Sequence, residues 1–195
     1  PSQAGTSVKQ DFVELPSQIF EHWATEPEVL KRYARHYETG QVISDALIEK
    51  IRASSTFNQG FQTSEYLAAA YLDLAWHEQA PDAAAGVKAL EATEMDRIGL
   101  PMTIAPRYKS TYFQHIFAGD HYSAGYYAYI WAEVLDADGF EAFKEQGLFD
   151  PATAQSFRQN ILERGGSAEP MSLYRAFRGR DPAVDALLVN RGLAS

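Results

Sequence analysis

Apolar residues recur at spacings of three and four through most of the chain, and alternating runs rich in β-branched side chains are rare. This pattern predicts an all-α fold, a multi-helix body spanning 1–195 as a single domain. A first helix is expected from Val8 to Ala24, with a kink at Pro16, and Glu26-Pro27 separates it from a second helix over Glu28 to Tyr37 that Gly40 closes. Ser44-Asp45 caps a third helix from Ala46 to about Ser54, with Leu47, Ile48 and Ile51 on its buried face. Asn58-Gln59-Gly60 interrupts the chain before a further helix from Thr63 to His77, whose stripe is Tyr66-Leu67, Ala70-Tyr71 and Leu74, and Pro81-Asp82 marks its end.

Ala83 to Ile98 reads as another amphipathic helix, followed by an irregular stretch between Gly99-Leu100-Pro101 and Ala105-Pro106. An aromatic block then runs from Tyr112 to Trp131. Gly139, Gly147, Asp150-Pro151, Gly165-Gly166 and Gly179 are expected to divide the remainder into short helices, the last from Asp185 to Asn190 before Gly192.

Composition narrows the function. With 195 residues, 46% of them hydrophobic, the chain has enough apolar surface for a core. The formal charge of -9 and the scattered Lys and Arg residues leave no basic field for a phosphate backbone, so nucleic acid is excluded as a partner. The apolar stretch Tyr66 to Ala75 is broken by Asp73 and falls far short of the ~20 residues that cross a bilayer, so no membrane partner is expected. Cysteine is absent, which removes disulfides, thiolate nucleophiles and Cys-based zinc sites. The expected compartment is cytoplasmic, with the periplasm left open, and Pro1-Ser2-Gln3-Ala4-Gly5 reads as the interior of a longer chain.

Generic catalytic motifs are missing. His22, His36, His77, His115 and His121 include no pair four apart, so no His-Glu-x-x-His zinc site is present, and His77-Glu78-Gln79-Ala80-Pro81 places a proline where the second His would stand. His77 is therefore expected simply to end a helix, its cation matched to the dipole. Two segments remain unusual. In Asp11-Phe12-Val13-Glu14-Leu15-Pro16-Ser17-Gln18, acidic residues three apart share one face of an apolar helix, although acidic residues in a first helical turn explain this without chemistry. In His115 to Trp131, Tyr122, Tyr126, Tyr127 and Tyr129 lie among glycines. Phenols on an adjustable segment can donate to a developing oxyanion, although a packed aromatic core helix would use the same composition.

Those segments, in order, carry a resemblance. Asp11-Phe12-Val13-Glu14-x-Pro-Ser-Gln, then Glu21-His22-Trp23 and Arg35-His36-Tyr37-x-Thr-Gly, resembles the third-ligand segment of the thimet oligopeptidase and peptidyl-dipeptidase family of zinc metallopeptidases. His115, Tyr122, Gly125, Tyr126-Tyr127 and Tyr129-x-Trp131 are similar to that family's substrate-binding loop and helix. Ile161-Leu162-x-Arg-Gly-Gly-Ser, Phe177-Arg178-Gly179-Arg180, Asp185-x-Leu-Leu and Arg191-Gly192-Leu193 resemble its carboxyl end. Ala34-Arg35-His36-Tyr37 and Leu72-Asp73-Leu74-Ala75-Trp76-His77 look closer to bacterial peptidyl-dipeptidases than to oligopeptidase A.

The resemblance implies a carboxy-terminal catalytic-domain piece of a larger helical peptidase, with Zn as cofactor and short peptides as substrates. Glu14 would be the metal ligand, completed by two His residues and a general-base Glu upstream of Pro1, in the remainder of the same polypeptide. Glu21 would stand behind the ligands as an acceptor for a ligand His. Tyr122 and Tyr129 would bind substrate and stabilise the oxyanion, His115 would donate to the peptide backbone, and Tyr126, on the same helical face as Tyr122 and Tyr129, would assist. The Asp120-His121 pair lengthens the stretch between His115 and Tyr122 relative to many family members. The isolated chain is expected to be inactive. The competing reading is a non-catalytic helical module that binds peptides or a partner protein through its Tyr-rich groove.

Overall fold

The computed structural model describes residues 6–78 and 86–194. Among them the fold is all-α, as the periodicity implies: the ordered elements are helices, and the only β pairing is an isolated bridge between Arg35 and Val42. A 3-10 turn at Gln10–Phe12 precedes α1 (Leu15–Thr25), α2 (Pro27–Tyr33) and α3 (Asp45–Ser55). Next come α4 (Gln59–Glu78), α5 (Gly86–Arg97) and α6 (Gln114–Phe117). The chain ends with α7 (Ala128–Gln146), α8 (Pro151–Phe157), which runs into a π-helical turn at Arg158–Leu162, α9 (Pro170–Arg178) and α10 (Asp185–Asn190).

Several boundaries differ from expectation for identifiable reasons. The first helix begins at Leu15 rather than Val8, and Pro16 sits in its first turn instead of kinking its middle. A proline has no N–H to give and is suited to that position, where the N–H would be unpaired anyway. The second helix stops at Tyr33, not Tyr37, because Ala34 leaves helical geometry and the chain doubles back. His36 N–H donates to Gln41 O at 2.8 Å and Ile43 N–H to Ala34 O at 3.0 Å, around a turn in which Gly40 takes φ +69°. In α3 the Ser44 cap is as expected, its side chain accepting from Leu47 N–H at 3.3 Å. Ile48 is buried, but Leu47 is 49% exposed, so the buried face is narrower than the spacing implied. The fourth helix starts at Gln59, directly after Asn58 with φ +57°, so Gly60 lies inside it. The expected start at Ala83 and the Pro81-Asp82 stop lie outside the described residues.

The largest correction concerns Gly139, which does not divide two helices but sits within the 19-residue α7. Its absent side chain makes room: a Cβ there would stand 3.3 Å from Ile19 Cδ1, 3.5 Å from Phe177 and 3.7 Å from the Tyr174 hydroxyl. A glycine that looks like a break in the pattern is a place of close approach.

The chain forms two compact units, one from the residues up to Phe57 together with those from Ile130 onward, the other Asn58–Tyr129. The first is organised around Leu15, Ile19, Leu135, Phe140, Phe143 and Tyr174, with Trp23 edge-on to Phe140 and Phe143 at 4.6 and 4.7 Å. Each large ring taken from water in such a core is worth about 1.5–3 kcal/mol. The second buries Tyr66, Ala68, Ala69, Leu72, Phe113 and Ile116, and Trp76 of α4 donates to Ser110 Oγ at 2.8 Å.

Candidate functional site

In the Asn58–Tyr129 unit the aromatic block is not one helix. It breaks into α6, a 3-10 turn at Asp120–Tyr122 and a run of turns, and α7 starts only at Ala128. Ala124 has φ +55°, a left-handed conformation that no helix can include. The expectation that Tyr122, Tyr126 and Tyr129 share a helical face is therefore overturned. The rings nevertheless meet, because the turns wind them about His115. Its ring centroid lies 4.7 Å from that of Tyr122, 5.8 Å from Tyr126 and 5.9 Å from Tyr129. Tyr129 Oη and His115 Nε2 are 3.3 Å apart, and Tyr126 and Tyr129 are edge-on at 5.7 Å.

The four groups differ in exposure, and this separates their chemical capacities. Tyr126 is buried, which pushes its phenol up to about 12 against the pull of Arg107, and it stays protonated at neutral pH. Its ring stacks on Tyr66 at 5.1 Å and is edge-on to Phe113 at 4.9 Å, which suits it to a structural part. Tyr122, Tyr129 and His115 are half-buried. His121, in the lengthened stretch, lies against Tyr122 at 4.1 Å between ring centroids.

Beneath this cluster is a residue that the sequence reading passed over. Asp73 of α4 is fully buried, and its carboxylate accepts from Ala124 N–H at 3.0 Å and from Tyr126 N–H at 2.8 Å. His77, one turn on, places Nδ1 2.8 Å from Asp73 Oδ1 and 2.8 Å from its backbone carbonyl. The expectation that His77 merely closes the helix against its dipole is replaced by this partnership, although the residue does stand in the last turn of α4. The signal was present: an aspartate between Leu72 and Leu74, in a stripe otherwise apolar.

The other unit holds Glu14 and Glu21. Glu14 is half-buried at the N-cap of α1, where its Oε2 accepts from Ser17 Oγ at 2.8 Å. That bond orients one carboxylate oxygen. Glu21 lies two turns along α1 and is exposed. Next to it, His22 Nε2 is 2.6 Å from Asp136 Oδ1 and its ring stacks on Phe140 at 4.7 Å, a pairing that sequence spacing could not reveal. Burial raises the Asp136 carboxyl above the ordinary carboxylate range, while His22 draws it back down. Among the described residues no three His, Cys, Asp or Glu side chains stand together so as to hold a metal ion. Glu14 fits a zinc as one oxygen ligand of several, not as a site by itself.

Comparison with known proteins bears on the whole chain. Residues 1–193 match the model of peptidase family M3. Dipeptidyl carboxypeptidase of Escherichia coli (strain K12) is 46% identical over 196 aligned positions, which cover 97% of this chain and 28% of that protein. Oligopeptidase A of the same organism is 42% identical over 192 positions, covering 96% of this chain and 28% of its own length. Saccharolysin of Saccharomyces cerevisiae is 31% identical over 198 positions, covering 96% of this chain and 26% of itself. The chain thus spans little more than a quarter of each of these relatives.

Proposed function

Because the chain belongs to peptidase family M3, we propose that it is the carboxy-terminal part of the catalytic domain of a zinc-dependent peptidyl-dipeptidase or oligopeptidase acting on short peptides. The observation that carries this reading is the gathering of Tyr122, Tyr126 and Tyr129 around His115, with Tyr129 Oη and His115 Nε2 3.3 Å apart. A hydrolase that attacks a peptide carbonyl needs donors aimed at the oxygen where charge develops, and half-buried phenols meet that need. Tyr129 and Tyr122 donate to the oxyanion, His115 donates to the peptide backbone, and Tyr126 backs the pair from within the packed wall.

Glu14 supplies one carboxylate to the metal, with Ser17 holding its other side at 2.8 Å. Glu21 acts behind the ligands as an acceptor for a ligand His. Zinc, when bound, polarises the scissile carbonyl and lowers the pKa of a water. The two His ligands and the general-base Glu come from the remainder of the polypeptide, so the 195-residue chain alone is inactive. The cytoplasm is the compartment we propose, with the periplasm left open. None of the described helices is long and apolar enough to cross a membrane.

The test is made in the full-length enzyme. Tyr129→Phe is expected to lower kcat by about 10²–10³ with KM little changed, the behaviour of a donor used chiefly in the transition state. Glu14→Gln is expected to lower zinc occupancy measured by elemental analysis. Peptide binding by the wild type with no hydrolysis and no zinc would instead favour a non-catalytic binding module.

A further inference from the structure

We propose that Asp73 is a positioning residue for the tyrosine-bearing loop, its carboxylate gripping the backbone at Ala124 and Tyr126 and so setting where Tyr122, Tyr126 and Tyr129 stand around His115. The proposal deepens the peptidase reading and, for its catalytic consequence, rests on it. Between the 3-10 turn at Asp120–Tyr122 and α7 at Ala128, the loop has little repeating structure of its own. Turn bonds run along it, Ser123 N–H to Asp120 O at 3.3 Å, Gly125 N–H to Tyr122 O at 3.2 Å and Ala128 N–H to Gly125 O at 3.0 Å. It also contains Ala124 at φ +55°, where a residue with a Cβ is disfavoured by roughly 1–2 kcal/mol. A loop so built keeps one shape only if something outside it holds that shape.

Helix α4 supplies the hold. The Asp73 carboxylate divides its two oxygens between two amides of the loop, Oδ1 to Ala124 at 3.0 Å and Oδ2 to Tyr126 at 2.8 Å. His77 Nδ1 stands 2.8 Å from Oδ1 and 3.3 Å from Ala124 N, at the same corner of the loop. Two turns earlier on the same face of α4, the Tyr66 hydroxyl donates to the carbonyl of Tyr126, and its ring stacks on the Tyr126 ring at 5.1 Å. The N–H and the carbonyl of Tyr126, in two successive peptide units, are thus both held by one helix. A buried carboxylate is unfavourable unless it is hydrogen-bonded, and here its donors include the two loop amides that space the phenols.

An asparagine has one acceptor where Asp73 has two, and its NH₂ would face an amide N–H. In the full-length enzyme, Asp73→Asn is therefore expected to speed hydrogen exchange at the Ala124 and Tyr126 amides at least about tenfold, with the rest of α4 still protected. It should lower kcat by roughly 10–100-fold while KM changes by less than about threefold, since displaced donors weaken transition-state stabilisation more than binding. Tyr66→Phe keeps the stacked ring and deletes only the hydroxyl. It should produce the same pattern at about a third of the effect or less, and it decides the matter if Asp73→Asn does not fold. Faster loop exchange with unchanged kcat, or a lower kcat with protection lost uniformly along α4, would overturn the proposal. A wild-type enzyme that hydrolyses no peptide would sink the peptidase reading, whereas the exchange measurement still decides the anchoring.

Discussion

Asp138 and Asp73, one in each unit, are almost completely buried, and the two are satisfied in opposite ways. Asp138, in the unit built on α7 and α9, is met by side chains: the Tyr174 hydroxyl donates at 2.6 Å, and the Arg178 and Arg180 guanidinium groups face it. Asp73, in the Asn58–Tyr129 unit, is met by loop amides and one histidine. The first arrangement ties helix α9 and the turn beyond it to α7, with Arg178 continuing to Glu145 at 2.6 Å, and its partners are long cations that offset a charge with charge. The second fixes a backbone path. Equal burial therefore does not imply equal purpose: a carboxylate answered by cations holds elements together, whereas one answered by main-chain amides dictates the shape of a loop.

The sharpest way to break this contrast is Asp138→Ala in the full chain. It removes the carboxylate that the Tyr174 hydroxyl, the Arg178 side chain, 9% exposed, and Arg180 share, leaving Tyr174 with Leu135 O at 3.1 Å and Arg178 with Glu145 at 2.6 Å. The expected loss is about 3–5 kcal/mol in chemical unfolding, as for one partner removed from a buried charged network. A loss below about 1 kcal/mol would show that solvent reaches the cluster and that the comparison fails.

A smaller effect is expected at alkaline pH. Burial first, and then Asp138, raises the Tyr174 phenol, and burial lifts Tyr126 to about 12 from an ordinary value of 10.0. The unfolded chain releases these protons near the ordinary value while the folded chain still holds them. The contribution of Tyr126 is thus complete below pH about 10 and is lost as pH rises through about 12. Tyr126→Phe should flatten the fall in stability between those limits, and an unchanged slope would show that Tyr126 is not shielded. The smallest effect belongs to Lys9 and Glu169, 3.0 Å apart with side chains 62% and 71% exposed. Lys9→Ala should shift stability by no more than about 0.5–1 kcal/mol, which sets the scale of an ion pair left in water.

Much of this molecule was legible along the chain. Three-four spacing identified the helices, Ser44 marked a cap, and Asp150-Pro151 marked a boundary whose aspartate proves to cap α8 through Thr153 N–H at 2.7 Å. Ordered motifs identified the family, which the match over residues 1–193 establishes. The errors share a cause. Pro16 was read as a kink and Gly139 as a break because each was judged by local preference, while the deciding facts were a helix start and the nearness of Ile19 and Phe177. The shared face assigned to Tyr122, Tyr126 and Tyr129 assumed a helix that Ala124 at φ +55° interrupts.

The sequence by itself determined the all-helical class, the acidic and cysteine-free character of the chain, and the residue types available for chemistry, because periodicity and composition are local properties. Only the tertiary structure decided that Asp73 reaches residues 51 and 53 positions away, that His22 meets Asp136 across 114, and that His115 becomes the hub of three phenols. The physical reason is that a buried polar group must find partners wherever the packed chain brings donors near it, and packing ignores distance along the sequence.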